Sequence, residues 1–325
     1  MLAYVIRRIL MTVPIVLGIL LITFVLFSYV APDPAFTVAG RGKKPAQLRA
    51  IRKEMGLDKP VWLDSRAKAE QDGREYKGHF NSQFFDVVLW RFPESIKYHQ
   101  PVGELIARKA PVSLAVQLPI FLIELGLQLI LALICAFNRG RWPDLVVTFG
   151  AVLGMCVPYL SIIILGQSVL GFEAGIFPVA GWDTGLKSVH FMALPILVGV
   201  AAGLGGGVRF YRTVMLDEVY TDYVRTARAK GVSRNNMMLT HVLRNVFIPV
   251  VTQTVTVLPY LLLGSLLLER MFQIPGLGGL MVEALFNNDR PILLAMTYGI
   301  SIAYCVMLML TDIVYTLVDP RVRLS

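Results

Sequence analysis

The stretch Tyr223–Asn245, YVRTARAKGVSRNNMMLTHVLRN, stands between two long apolar runs. It is basic and helix-forming, stops at Gly231 and restarts. Its polarity argues against a bilayer crossing, since a Lys or Arg at mid-membrane costs roughly 2.5–3.5 kcal/mol. Its regularity does not suit a slack linker. From Asp217, DEVYTDYVRTARAKG places acids early and Arg225, Arg228 and Lys230 late, the order that complements a helix dipole. Gly231 suits a left-handed C-terminal cap. Ser233 is placed to N-cap a second helix through Met237, Met238 and Leu239. Ala227 and Ala229 are small enough for another surface to approach closely. Two readings of these residues stand: an amphipathic loop held on lipid headgroups, or a docking element for a cytosolic protein.

The composition around this stretch decides its setting. The chain has 325 residues, 55% hydrophobic and 16% charged, with a mean hydropathy of +0.62; soluble domains carry about 25% charged residues. The deficit lies in long uncharged runs, so the fold class is all-α integral membrane. A net charge of +9 follows from positive-inside loops. No basic patch is interleaved with aromatics, and nucleic acid is not a partner. Cys135, Cys156 and Cys305 sit in apolar runs without C-x-x-C spacing, which implies neither disulfide framework nor zinc. His79, His99, His190 and His241 are scattered, so no metal site is expected. No nucleophile–base constellation marks an enzyme.

A span needs about 20 apolar residues, and six runs qualify: Ile9–Ala31, Val112–Phe137, Leu145–Leu170, Val189–Val208, Val246–Leu268 and Pro291–Val318. The first is too long for a signal-peptide core. Arg7 and Arg8, Arg139 and Arg141, the Arg209–Arg244 loop, and Arg321 and Arg323 fall on one side. Only Lys187, Arg270 and Arg290 lie in short loops opposite. Both termini and the quoted stretch are therefore expected in the cytoplasm. The organisation expected is residues 1–31 with the first span, an extracytoplasmic insertion over 32–111, a five-helix core over 112–318 containing the cytoplasmic loop 209–245, and a tail over 319–325. Within the insertion, PAQLRAIRKEMGLDKP predicts a helix ended by Gly56, and PVGELIARKAP another with Pro111 past its end. AKAEQDGREYKGHFNSQ between them predicts a loop.

Polar residues inside the spans are candidate pore features. Ser113, Gln117, Glu124 and Gln128 fall within about 60° of one another on a helix. Glu124, an acid at membrane depth, must face protein or water; a pore-facing acid that meets a cationic peptide terminus and a helix–helix hydrogen bond both satisfy that. Thr252, Gln253, Thr254 and Thr256 line the fifth span, whose prolines can bend it around a cavity. Gly199, Gly203 and Gly207 recur at spacing four in the fourth span, a pattern for close helix packing.

The quoted stretch resembles the cytoplasmic coupling loop, the "EAA" loop, of type I ABC importer permeases. Its form, YVRTARAKG followed by HVLRNVFIP, is similar to that of the oligopeptide/dipeptide/nickel permease family. YVIRRIL, GLDKP, PVGELIARKAPVSL, LLLERMFQIPGLGGLMVEAL and DIVYTLVDPRV resemble, in the same order, other family segments. Thr226 stands where the loop's name-giving Glu is usual, and Pro93-Glu94-Ser95 where a G-x-S element is usual. The resemblance implies a pore-forming subunit that pairs with a second, homologous permease, two ATPases and an extracytoplasmic substrate-binding protein, in contact with membrane lipid. It implies uptake of di- or oligopeptides, with nickel complex, glutathione or oligosaccharide as alternatives. Tyr223, Arg225, Thr226, Ala227, Arg228, Ala229, Lys230 and Gly231 would contact the ATPase. Glu269, Pro275 and Gly276 would belong to an external gate. No G-x-x-x-x-G-K-[ST] loop occurs, so no cofactor is expected on this chain, and ATP and Mg belong to the partner ATPases. An ion-coupled secondary transporter would want several intramembrane charges, and Glu124 is nearly alone. A structural or assembly factor of the membrane gives no reason for the collinear motifs.

Overall fold

A computed structural model describes residues 2–31, 33, 35–36, 45–54, 57–73, 75–183 and 185–318. Every regular element among the described residues is helical. In chain order these are α1 (Leu2–Val25), α2 (Pro45–Glu54), α3 (Arg66–Gln71), α4 (Gln83–Val88), α5 (Val102–Phe137), α6 (Trp142–Cys156), α7 (Tyr159–Gly166), α8 (Ser188–Val219), α9 (Asp222–Ala229), α10 (Arg234–Asn236), α11 (Leu243–Leu263), α12 (Leu266–Met271), α13 (Leu277–Phe286) and α14 (Arg290–Val318). π-Helical turns extend α1 to Val30 and α7 to Glu173, and join α10 to α11.

Four stretches are long and apolar enough to cross a membrane: Leu10–Val30, Val102–Phe137, Ser188–Val219 and Arg290–Leu310. The expected third span is broken: α6 and the α7 segment meet at 99°. The cause is local. Val157, ahead of Pro158, is extended at φ −88°, ψ 124°, as the proline ring demands of its predecessor. The helix restarts when the Pro158 carbonyl accepts from Ser161 and Ile162. The expected fifth span stops at Leu263, because Gly264 at φ 67° leaves helical space. The helix expected over 101–110 does not end before Pro111. It runs unbroken into the second span as α5, since one proline removes only one N–H from a long helix. Part of the expected 67–83 loop is helical, as α3 and the start of α4. Gly56 and the tail from residue 319 lie outside the described residues.

The chain forms two compact units, residues 1–111 with 277–309, and residues 112–276 with 310–325. In the first, Leu20 and Phe24 of α1 pack with Val87 and Leu294, and Val102 and Leu105 pack with Leu280, Ile292 and Met296. Ser95, of the Pro93-Glu94-Ser95 element, is fully buried. Its Oγ donates to Asp289 Oδ2 at 2.6 Å and accepts from the Tyr98 N–H at 3.0 Å. The Tyr98 hydroxyl donates to Glu283, and so does Lys97 Nζ, at 3.1 Å. Burial, and then this hydrogen bond, push the Tyr98 hydroxyl above the usual phenol range. Burial pushes Glu283 up, but Tyr98 and Lys97 together hold it below the usual glutamate range.

In the second unit, α5 and α8 pack by a ladder. A Cβ added to Gly199 would lie 2.6 Å from Ile120 Cδ1, one on Gly203 would run into the Glu124 carboxylate, and one on Gly207 into the Gln128 amide. Three side chains at spacing four thus sit on three glycines at spacing four, the small-residue contact of membrane helices. Gln128 Nε2 donates to Glu124 Oε1 at 2.6 Å and to the Gly203 carbonyl at 3.1 Å. Arg212 of α8 grips Asp144 of α6 with two bonds, Nε to Oδ1 at 2.6 Å and Nη2 to Oδ2 at 2.9 Å.

Candidate functional site

The site is built where α8 ends. Its C-terminal turn closes at Tyr220, and Thr221 turns extended at φ −66°, ψ 156°. The Thr221 hydroxyl donates back to the Glu218 carbonyl at 2.7 Å, and its own carbonyl starts α9 by accepting from Val224 and Arg225. Helix α9 therefore begins after Thr221 and is separate from α8, where the sequence suggested one helix from Asp217.

Two faces of α9 differ sharply. Val224 is fully buried and Ala227 nearly so. Both sit one turn apart and turn inward, Val224 into a cluster with Ala132 and Ala136 of α5, Tyr211 and Met215 of α8, Met237, Met238, and Val246 of α11. Tyr223 is half-buried beside them and donates to Glu218 Oε1 at 2.8 Å. Arg225, Thr226, Arg228, Ala229 and Lys230 are exposed. Among the described residues Arg225 pairs with Asp222 alone, at 3.4 Å, and both are largely exposed. Among the described residues, Arg228 and Lys230 have no carboxylate within ion-pair distance. Ala227, read from sequence as space for a second surface, instead fills the chain's own core; Ala229 is exposed.

The helix ends as its glycine predicts. Gly231 has φ 79°, its N–H donates to the Arg228 carbonyl at 2.9 Å, and the Val232 N–H donates to the Ala227 carbonyl at 3.2 Å. This is the Schellman pair of bonds, and Val232 packs on the same cluster as Val224. A Cβ at Gly231 would meet nothing within 4 Å, so the requirement there is one of backbone angle alone. Ser233 starts the next helix through its carbonyl, which accepts from the Met237 N–H at 2.9 Å; its side chain makes no cap bond. Arg234 donates to the Phe137 carbonyl at the end of α5. The guanidinium of Arg139 stacks 4.6 Å from the Tyr220 ring centroid. The α8–α9 turn and the α10 turn are both tied to the end of α5.

The other sequence candidates are placed as follows. Glu124 and Gln128 lie in the α5–α8 ladder. Gln117 is half-buried, and its amide nitrogen has no hydrogen-bond partner among the described residues. Thr252 donates to the Ile248 carbonyl of its own helix at 3.0 Å. The Thr256 side chain lies outside the described residues. Glu269 is fully buried and accepts from Ser113 Oγ at 2.7 Å. Gly264 and Gly276 close around its carboxylate, where a Cβ would collide. Its carbonyl accepts from Ile274 at 2.8 Å, and Gln273 between them is held at φ 55°. Pro275 is exposed beside buried Gly276. Sequence reading brought Glu269 and its loop together but missed Ser113 as the partner, a pairing across 156 residues. It also missed Asp144, whose signal was a lone acid opposite the many arginines of the loops.

A family model described as a binding-protein-dependent transport system inner membrane component matches residues 128–324, and its N-terminal companion matches residues 1–116. The chain belongs to this family of membrane permeases. A chain of Brucella abortus (strain 2308), provisionally named a peptide transport system permease protein, is 32% identical over 99% of both chains. The oligopeptide transport system permease protein AppB of Bacillus subtilis (strain 168) is 30% identical over 99% of this chain and 100% of its own. The dipeptide transport system permease protein DppB of Lactococcus lactis subsp. cremoris (strain MG1363) is 31% identical over 95% and 97%. The permease is thus related over nearly its whole length to peptide transport system permeases, in agreement with the resemblance read from its motifs.

Proposed function

We propose that this permease is one of two pore-forming subunits of an ATP-driven importer of di- or oligopeptides, and that α9 is its contact with a separate ATPase. The observation that carries the reading is the division of α9. One face is locked into the core shared by α5, α8 and α11, and the other presents Arg225, Thr226, Arg228, Ala229 and Lys230 to a partner. A push on the outer face moves the ends of three long helices together. Gly231 lets the chain return without loosening that grip. ATP and Mg act on the ATPases; a second permease completes the pore, and a substrate-binding protein docks on the insertion over 32–111. In this reading the broken third segment and α11 both cross, giving six spans with both termini cytoplasmic. Gln117, Thr252, Thr256 and the Glu269–Pro275–Gly276 loop belong to the pore and its outer gate. The substrate class follows the names of the AppB and DppB relatives. Glutathione is the alternative, since a glutathione transport system permease protein, GsiC of Salmonella typhi, is 30% identical over 99% of both chains.

The test is reconstitution of the chain with its partner permease, ATPases and binding protein in liposomes, followed by uptake of a radiolabelled dipeptide and of glutathione. The reading expects ATP-dependent accumulation of the dipeptide. Accumulation driven by an ion gradient without ATPases would refute it.

A further inference from the structure

The unit formed by residues 1–111 and 277–309 contains a cavity of about 240 Å³ that the transport reading does not use. Its charged lining is unbalanced. Lys59 is paired with Asp86; Asp33 acts on Arg290 only from beyond ion-pair distance and is itself paired with Arg52. Arg290 is half-buried, donates to Ser28 Oγ at 2.5 Å and lies 5.8 Å from the Phe24 ring centroid. Among the described residues no carboxylate reaches ion-pair distance of Arg290 or Arg91. The remaining wall is mostly apolar, with Phe24, Val87, Phe92 and Leu294 beside Gln83, whose amide donates to the Leu57 and Lys59 carbonyls. A half-buried guanidinium bonded to a hydroxyl, set near a ring face and without an ion pair among the described residues has room for an anion.

The level of the cavity narrows the choice. Arg290 opens the apolar run Arg290–Leu310, while Phe24 and Ser28 lie in the last turns of Leu10–Val30. The cavity therefore sits at the edge of the hydrocarbon, where lipid phosphates lie. Below it the same two segments carry a constriction lined by Leu20, Leu294 and Tyr298. Beneath that is an apolar groove of about 290 Å³ lined by Val13, Val16, Leu17, Tyr298 and Cys305. From Arg290 to Cys305 is about 22 Å along a helix at 1.5 Å per residue. A cationic head pocket above an apolar groove on one seam has the chemistry of an anionic phospholipid.

We infer that the Arg290 cavity is a binding site for an anionic phospholipid, with Arg290 and Arg91 on the phosphate and the α1–α14 seam along an acyl chain. The phosphate chemistry alone would also accept free inorganic phosphate, so the experiment separates the two sources. The full-length chain is transferred to neutral detergent with graded phosphatidylglycerol, and retained lipid is counted by native mass spectrometry, with and without millimolar inorganic phosphate. The wild type is expected to retain one phosphatidylglycerol that phosphate does not displace. Arg290→Gln is expected to weaken retention roughly ten- to hundredfold, the size of a lost charge-assisted bond. Arg91→Gln, at an exposed position, is expected to weaken it about two- to fivefold. It covers the case in which Arg290→Gln fails to fold. A folded Arg290→Gln of unchanged affinity, or, where that variant does not fold, wild-type retention in Arg91→Gln, would overturn the site. Displacement by inorganic phosphate would overturn the lipid assignment.

Discussion

Gly206 and Gly207 are adjacent in α8, and replacing each with alanine should shift stability in opposite directions. Alanine is the better helix former by about 1 kcal/mol, so the default expectation is a gain at both. At Gly206 a Cβ meets nothing within 4 Å, and the gain of about 0.5–1 kcal/mol should appear. At Gly207 the Cβ falls inside the amide of Gln128, a residue only 7% exposed. That amide must leave its two acceptors, Glu124 Oε1 and the Gly203 carbonyl. Two lost bonds at about 1 kcal/mol each and overpacking of about 1–3 kcal/mol outweigh the propensity gain and leave a net loss of roughly 2–4 kcal/mol. Equilibrium unfolding in mixed micelles or steric trapping reads the difference. Gln128→Ala should abolish the penalty, since removing the amide empties the space. If Gly207→Ala is as costly in the Gln128→Ala background as in the wild type, or if the two glycine variants shift alike, the ladder does not pack as described.

Three further outcomes follow from single contacts. Arg212→Ala strands Asp144, 2% exposed, and should cost about 3–5 kcal/mol. Arg212→Lys keeps the charge and loses only the fork, so equal losses in the same unfolding assay would contradict the bidentate pair. Glu283 is held below the usual glutamate range. Its contribution is therefore complete above that range and is lost as pH falls through the lowered value. Protease access to the 93–100 segment should rise on acidification from about pH 7 to pH 3; in Glu283→Gln the rise should be flatter, and an unchanged profile would reject the clamp. Gly231→Asn should retain most coupled uptake, because asparagine tolerates the left-handed region, whereas Gly231→Leu must bear about 1–2 kcal/mol of backbone strain and should uncouple ATP hydrolysis from transport. Equal behaviour of the two would remove the backbone requirement.

Much of this was legible in the residues because it depends on local rules. Gly231 followed acids-then-bases ordering and took the left-handed cap that ordering suggests. Pro158 sat inside an apolar run, and the break it causes is the ordinary effect of proline on the residue before it. The ladder was half legible: Gly199, Gly203 and Gly207 share their spacing with Ile120, Glu124 and Gln128, but only packing reveals that the two sets face each other. Ser113 with Glu269, and Asp144 with Arg212, were not legible. Each joins residues far apart in the chain, and no local pattern records such a distance. Pro111 misled because a helix stop signal loses to a long apolar helix already favoured on both sides. Ala227 misled because a small residue reads the same whether it makes room for a partner or fills its own core.

The central claim is that the outer face of α9 is gripped by an ATPase. Its most direct test is a single cysteine at Arg225, in a chain whose native cysteines are replaced by alanine, cross-linked within the assembled importer. The account predicts a cross-link to the ATPase subunit and protection of that cysteine from aqueous maleimide. A cysteine that stays open to maleimide in the complex and forms no cross-link would contradict it.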